Sequence, residues 1–163
     1  MSKNNAKKYW LMKSEPEVFS FAALLKAPKQ TTFWEGVRNY QARNFMRDEV
    51  KVGDGVLFYH SNSGDETGVA GIAEVVKEGY ADASAFDPKS EYYDVIAKKK
   101  GVNPWVMVDV KAVKAFKAVV TRDELAAEPK LNEMMVLKKG SRLSIQPVTA
   151  EEFAAVEKLG IRA

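Results

Sequence analysis

The stretch from Trp105 to Phe116, WVMVDVKAVKAF, alternates with a period of two. Val106, Val108 and Val110 fall on one side of an extended chain, and Met107, Asp109 and Lys111 on the other. That is the pattern of a strand with one face against a core. Such a strand needs a sheet to join and a layer to cover it. The chain supplies further strand candidates. YWLMK (9–13) is a short apolar run ended by Pro16, and TTFW (31–34) is β-prone. VLFYHS (56–61) follows the VGDG turn and reads as a buried strand. VAGIAEVVKEGYA (69–81) is longer, with glycines that mark bulges or bends. RLSIQPV (142–148) reads as a last short strand, stopped by Pro147.

Helical patterns lie between the strands. VFSFAALLK (18–26) carries Phe21, Leu24 and Leu25 at helical spacing and ends at Pro28. NYQARNFMRDE (39–49) turns Phe45 and Met46 inward as a helix. Thr121 with Glu124, and Thr149 with Glu152, have capping-box spacing before helices, the second covering FAAVEKLG (153–160). LNEMMVLKKG (131–140) predicts another helix closed by Gly140. FDPKSEYYD (86–94) is an aromatic-bearing loop. The expected architecture is a single α+β domain over 8–163, with a mostly antiparallel, barrel-like sheet and short helices, after a disordered tail at 1–7.

Of the 163 residues, 46% are hydrophobic and 29% charged, enough for a core and against disorder. Cysteine is absent, which removes disulfides, thiolate metal sites and cysteine nucleophiles. No window reaches the 18 apolar residues of a membrane span, and MSKNNAKKYW has no signal-like apolar run. The expected location is cytoplasmic. The net charge of +3 permits an anionic partner without requiring one. Lys98, Lys99 and Lys100 form one basic run, and Lys138, Lys139 and Arg142 another; each is a solvated surface or a phosphate contact.

Catalytic signatures are missing. There is one histidine, His60, and no GxSxG, HExxH, phosphate loop or GxGxxG. His60 stands at the end of an apolar strand in FYHSN, as a backbone-bonded side chain or a pocket-edge donor. The expectation is a non-catalytic domain with no cofactor or metal. An enzyme using Glu15 or His60 as acid–base is the alternative class, and a plain interaction domain is another.

Five stretches stand together in order: WLMKSEPE (10–17), FWEGVRNYQARN (33–44), VLFYHSN (56–62), PWVMVDV (104–110) and RLSIQPVT (142–149). They resemble the EVE domain family, small PUA-like proteins related also to the YTH readers of methylated adenine in RNA. The resemblance runs from about residue 8 to 160. It implies a PUA-like β-barrel flanked by helices and a pocket for a modified nucleobase, with 5-methylcytosine and its oxidised forms in DNA proposed for eukaryotic members. The short N-terminus is similar to the compact bacterial form. An RNA-binding accessory module for tRNA or rRNA modification is the runner-up, and a monomer is favoured.

A flipped base needs stacking and edge contacts. Trp34, followed at once by a polar turn, is the candidate ring, or else a core tryptophan; Trp10 reads as core, and Trp105 as rim or core. Lys13 and Ser14 are similar to a Lys–Ser pair in the YTH pocket, and Glu15 next to them can accept from an exocyclic amine. Val37, Arg38 and Asn39 follow Trp34. Arg38 can clamp a phosphate, and Asn39 can meet a base edge or cap the next helix. Gln41 and Arg43 in the first turns, with Lys98–Lys100, are candidates for the nucleic-acid backbone. Tyr59, His60, Ser61 and Asn62 are the expected second wall, and Arg142, Ser144 and Gln146 the contribution of the last strand.

Overall fold

The computed structural model describes residues 7–139 and 142–162. Of the expected tail only Lys7 is described, and it is exposed; Gly140 lies outside the described residues. The strands are β1 (Tyr9–Ser14), β2 (Thr31–Phe33), β3 (Gly55–His60), β4 (Gly68–Ala81), β5 (Val106–Thr121) and β6 (Ile145–Val148). The helices are α1 (Phe21–Lys26), α2 (Tyr40–Asp48), α3 (Val95–Lys100), α4 (Arg122–Ala126) and α5 (Ala150–Arg162).

The strands form one six-stranded sheet in the order β2-β5-β4-β3-β1-β6. Pairing is antiparallel except between β1 and β3. The expected barrel is not closed. β2 and β6 stand at opposite edges, and with three and four residues neither is long enough to carry a closing ladder. Pro147 does not stop β6 but lies inside it, exposed, where an edge strand tolerates the missing N–H. In β4 the register slips beside Gly71. A Cβ there would stand 2.7 Å from the Lys114 carbonyl and the Phe21 ring, so only glycine lets β5 and α1 approach so closely.

Alternation sends successive residues of the strands to two separate cores. Trp10, Met12, Val56, Phe58, Val108 and Val110 join Trp34 and Met46 on one side. Leu11, Leu57, Tyr59, Val69 and Val120 join Leu125, Leu131, Phe153 and Val156 on the other. Trp10 is core, as read, and its indole N–H donates to Asp54 Oδ2 at 2.9 Å. The buried Asp54 carboxylate also accepts from the Lys8 and Lys51 N–H groups, tying the start of β1 to the turn before β3.

Both capping boxes form. Thr121 and Glu124 exchange side-chain to backbone bonds, and so do Thr149 and Glu152. Met46 is buried and Phe45 packs beside it, whereas Leu25 is exposed on α1. The expected helix at 131–140 is instead two 3-10 turns, Pro129–Leu131 and Met135–Leu137, joined through extended Met134. Leu131, Met134 and Val136 all enter the second core. A single α-helix at 100° per residue would point Val136 away from the side that buries the other two.

Candidate functional site

At the C-terminal end of β1 a cleft of about 480 Å³ opens, within the range of small-molecule sites. Its walls come from three places. Lys13, Ser14, Glu15, Val18 and Phe19 come from the end of β1 and the turn after it. Thr32 through Val37 come from β2 and its exit loop. Glu91, Tyr92 and Ser144 close the third side.

The first wall is a tight turn. The Glu15 carbonyl accepts from the N–H groups of Val18 and Phe19, and the Ser14 hydroxyl donates to the Phe19 carbonyl at 2.6 Å. Ser14 therefore shapes the site by holding Phe19 in it. Lys13 is half-buried, and burial, with the Arg122 charge adding to it, holds its ammonium below the usual lysine range. Lys13 borders the cleft at the end of β1 but lies in register with Tyr59, so its side chain leaves the sheet on the face of Leu11 and Tyr59, toward Arg122. Asn62, in left-handed backbone at φ 53°, donates from its side chain to Glu15 at 2.8 Å and fixes that carboxylate at the rim.

The second wall rests on a network beneath it. Trp34 is only 7% exposed and packs edge-to-face on Phe58 at 5.3 Å, so it is both a core residue and a wall of the cleft. Gly36 has φ +86°, and a Cβ there would lie 2.6 Å from the Tyr92 ring. The bare backbone is what lets Tyr92 close against the loop. Val37 is buried in the first core and also lines the cleft.

Arg38 does not face the cleft. Its Nη1 donates to Asp82 at 3.1 Å and to the Val37 carbonyl at 3.0 Å. Its Nε and Nη2 donate to the Tyr92 carbonyl, and Nη2 also to the Ser84 hydroxyl. All five N–H donors of the guanidinium are engaged, so the phosphate clamp expected of it is replaced by an internal strut. Asp82 is fully buried and also accepts from the Gly36 and Ser84 N–H groups. Burial alone would raise its carboxyl, but the Ser84, Gly36 and Arg38 hydrogen bonds hold it below the ordinary range. Asn39 caps α2, its side chain accepting from the Ala42 N–H at 3.0 Å.

Glu35 and Glu91 stand exposed at the lip. Partial burial, the Asp82 charge and then Glu91 push the Glu35 carboxyl up against the opposing pull of Arg38. Burial also raises the Tyr92 hydroxyl, helped by Glu91 and Glu35.

The remaining candidates lie elsewhere. Tyr59 falls on the far face of the sheet, in the second core. His60 Nε2 accepts from the Phe21 N–H at 3.1 Å, so it caps α1 from a neighbouring strand, and burial lowers its titration. The Ser61 N–H is held by the Ser14 carbonyl. Trp105 is buried, donates to Asp94 at 2.8 Å and packs under the Arg38 guanidinium. Gln146 is buried opposite Leu11, on the side away from the cleft, and donates to the Leu143 carbonyl. Arg142 is exposed outside the lining. Arg43 donates to the Pro104 carbonyl at 2.7 Å and lies over Tyr40, while Gln41 is exposed on α2. Lys98 reaches the Phe86 carbonyl, and Lys99 and Lys100 are exposed on α3 before the left-handed Gly101 cap.

Of the predicted set, Lys13, Ser14, Glu15, Trp34, Val37 and Ser144 come together in the cleft. Phe19, Phe33, Glu35 and Tyr92 join them without having been singled out. Glu35 and Phe33 flank Trp34 in the same motif; Tyr92 carried only the signal of an aromatic in a polar loop.

Residues 8–159 match the family model of the EVE domain. Chicken (Gallus gallus) thymocyte nuclear protein 1 is 45% identical over 169 residues, spanning 93% of this chain and 68% of the relative. The solved structure of a hypothetical protein from Leishmania major is similar, with TM-score 0.90 and 48% identity over 98% of both chains. Human THYN1, solved in complex with 5-methylcytosine-containing DNA, superposes with TM-score 0.84 at 44% identity, covering 94% of this chain and 98% of that one.

Proposed function

The chain belongs to the EVE domain family, and from that premise we propose that it binds nucleic acid by enclosing a modified base, 5-methylcytosine or an oxidised derivative, in the cleft beside Trp34. The observation that carries this reading is the makeup of the cleft: aromatic walls from Phe19, Phe33, Trp34 and Tyr92, with several carboxylates around them. The human relative's complex with 5-methylcytosine DNA supports it.

The polar groups suit a base better than a phosphate. Glu15, Glu35 and Glu91 ring the opening, so an anion would be repelled from it. Carboxylates accept from the exocyclic amine of cytosine. A base in a duplex must be extruded at a cost of a few kcal/mol. Contact with aromatic side chains returns about 1–3 kcal/mol per base. The chain performs no chemistry on the base in this reading.

The test is a binding panel. DNA and RNA oligonucleotides carrying 5-methylcytosine, its oxidised forms, cytosine or thymine are titrated against the wild type and Glu35→Gln. The expected result is a preference of tenfold or more for one modified base, reduced in the variant. Equal, weak binding to every oligonucleotide with a steep salt dependence would mark a non-specific electrostatic binder and sink the reading. A preference confined to RNA would favour the accessory-module role. Because the Glu35 carboxyl is raised, affinity for an amino-bearing base should begin to fall on acidification at a higher pH than an ordinary glutamate would set.

A further inference from the structure

Phe33 is 51% exposed, although the residue after it is one of the buried tryptophans. It ends β2, an edge strand of three residues paired only with β5, and lies opposite Asp109. The chain enters β2 through two consecutive non-glycine residues in left-handed backbone, Lys29 at φ 57° and Gln30 at φ 53°. Each such residue is costly for an L-amino acid, and together they fix where the edge strand begins and which side chain it presents.

Phe33 also stands on a boundary. A second concavity of about 670 Å³ adjoins the cleft and shares Phe33, Glu35, Glu91 and Tyr92 with it. Its own lining adds Ala83, Ser84, Asp87, Lys89, Ser90 and Met107. The shared and added carboxylates disfavour a phosphate inside this groove but accept from base amines and sugar hydroxyls. A solvent-facing phenyl ring shared by two concavities of this makeup offers the kind of aromatic face on which bases of a single strand stack irrespective of sequence.

Building on the proposed base-binding role, we propose that the adjoining groove is a subsite for the nucleotide next to the enclosed base, with Phe33 as the ring on which that neighbour stacks. The unit recognised is then a dinucleotide step and not an isolated base.

The experiment compares 5-methyldeoxycytidine monophosphate methyl ester with a dinucleotide carrying the same base, by calorimetry. The two probes have equal phosphate charge. The wild type should bind the dinucleotide about tenfold or more tightly, since stacking of this kind converts to that order of affinity. Phe33→Ala should bring the ratio near one, and Phe33→Trp should keep it. Ala83→Trp, an exposed position in the groove, should lower the ratio by filling the subsite. Thermal melts establish that the variants fold. A wild-type ratio near one, or a ratio untouched by both Phe33→Ala and Ala83→Trp, overturns the subsite while leaving the enclosed-base reading standing. Failure of the wild type to bind either probe, or any other modified nucleotide of the panel, overturns both.

Discussion

The two faces of the sheet are made by alternate residues of the same strands, and they are finished in different ways. On the face of Leu11, Leu57 and Val69, the core is closed by α4, α5 and the 3-10 turns, with apolar side chains meeting apolar side chains. On the face of Trp10, Met12 and Phe58, packing runs out at Trp34 and a cleft begins. There the loop from Glu35 to Asn39 is held by hydrogen bonds: five from Arg38, one from Gly36 to Asp82, and a helix cap. A closed core gains from burial, which is non-directional. An open cleft cannot, because filling it would remove it, so its walls are set by directional bonds to buried polar groups.

That contrast can be attacked directly. The largest effect is expected from Asp82→Ala, which strands a largely buried guanidinium and releases the Gly36 N–H. Breaking such a pair costs about 3–5 kcal/mol, visible in a denaturant or thermal melt, and base affinity should fall with it. If stability drops but affinity of the folded fraction does not, the network supports the fold and not the cleft. Leu125→Ala, at a fully buried position of the other face, should cost about 2–5 kcal/mol and leave the affinity of folded protein unchanged. A changed affinity there would mean that the two faces are coupled. Gly36→Ala forces a side chain into left-handed backbone and into the Tyr92 ring, costing about 1–3 kcal/mol and narrowing the cleft. Its affinity loss should exceed its stability loss in relative terms.

The smallest effect is a pH dependence. His60 accepts the Phe21 N–H only as neutral imidazole, and its folded-state titration lies below the unfolded value near 6.5. The bond therefore contributes fully above that value, and its contribution is lost as pH falls through the depressed folded value. Melts from pH 7 to pH 5 should show the loss, and His60→Gln, which keeps an acceptor, should flatten it.

The same contrast explains how much could be read in advance. The strands and the capped helices were legible because alternation and capping are local: Val106, Val108 and Val110 and both Thr–Glu boxes needed no partner far away. The exception, residues 131–137, failed because three buried side chains overrode the helical pattern. The open barrel followed from strand lengths that sequence pattern leaves loose by a few residues. In the cleft, Lys13, Trp34 and Ser144 were legible as lining; Arg38 was assigned to a phosphate when it faces inward, and of the two readings left open for His60 and for Trp105 the inward one holds. Their partners are distant in the chain: Asp82 lies 44 residues from Arg38, and Phe21 39 from His60. A polar residue in a motif looks the same whether it waits for a ligand or is already satisfied.

The Tyr92 ring laid over the bare backbone of Gly36 has a further consequence. One wall of the site belongs to the surface loop between Asp87 and Asp94, which carries no rung of any sheet ladder. Surface loops accept exchange and insertion far more readily than strands. The width and polarity of the recognition site can therefore be rewritten as a cassette, with the six strands left as they are. A library randomised at Glu91 and Tyr92 alone should yield folded proteins whose base preferences diverge.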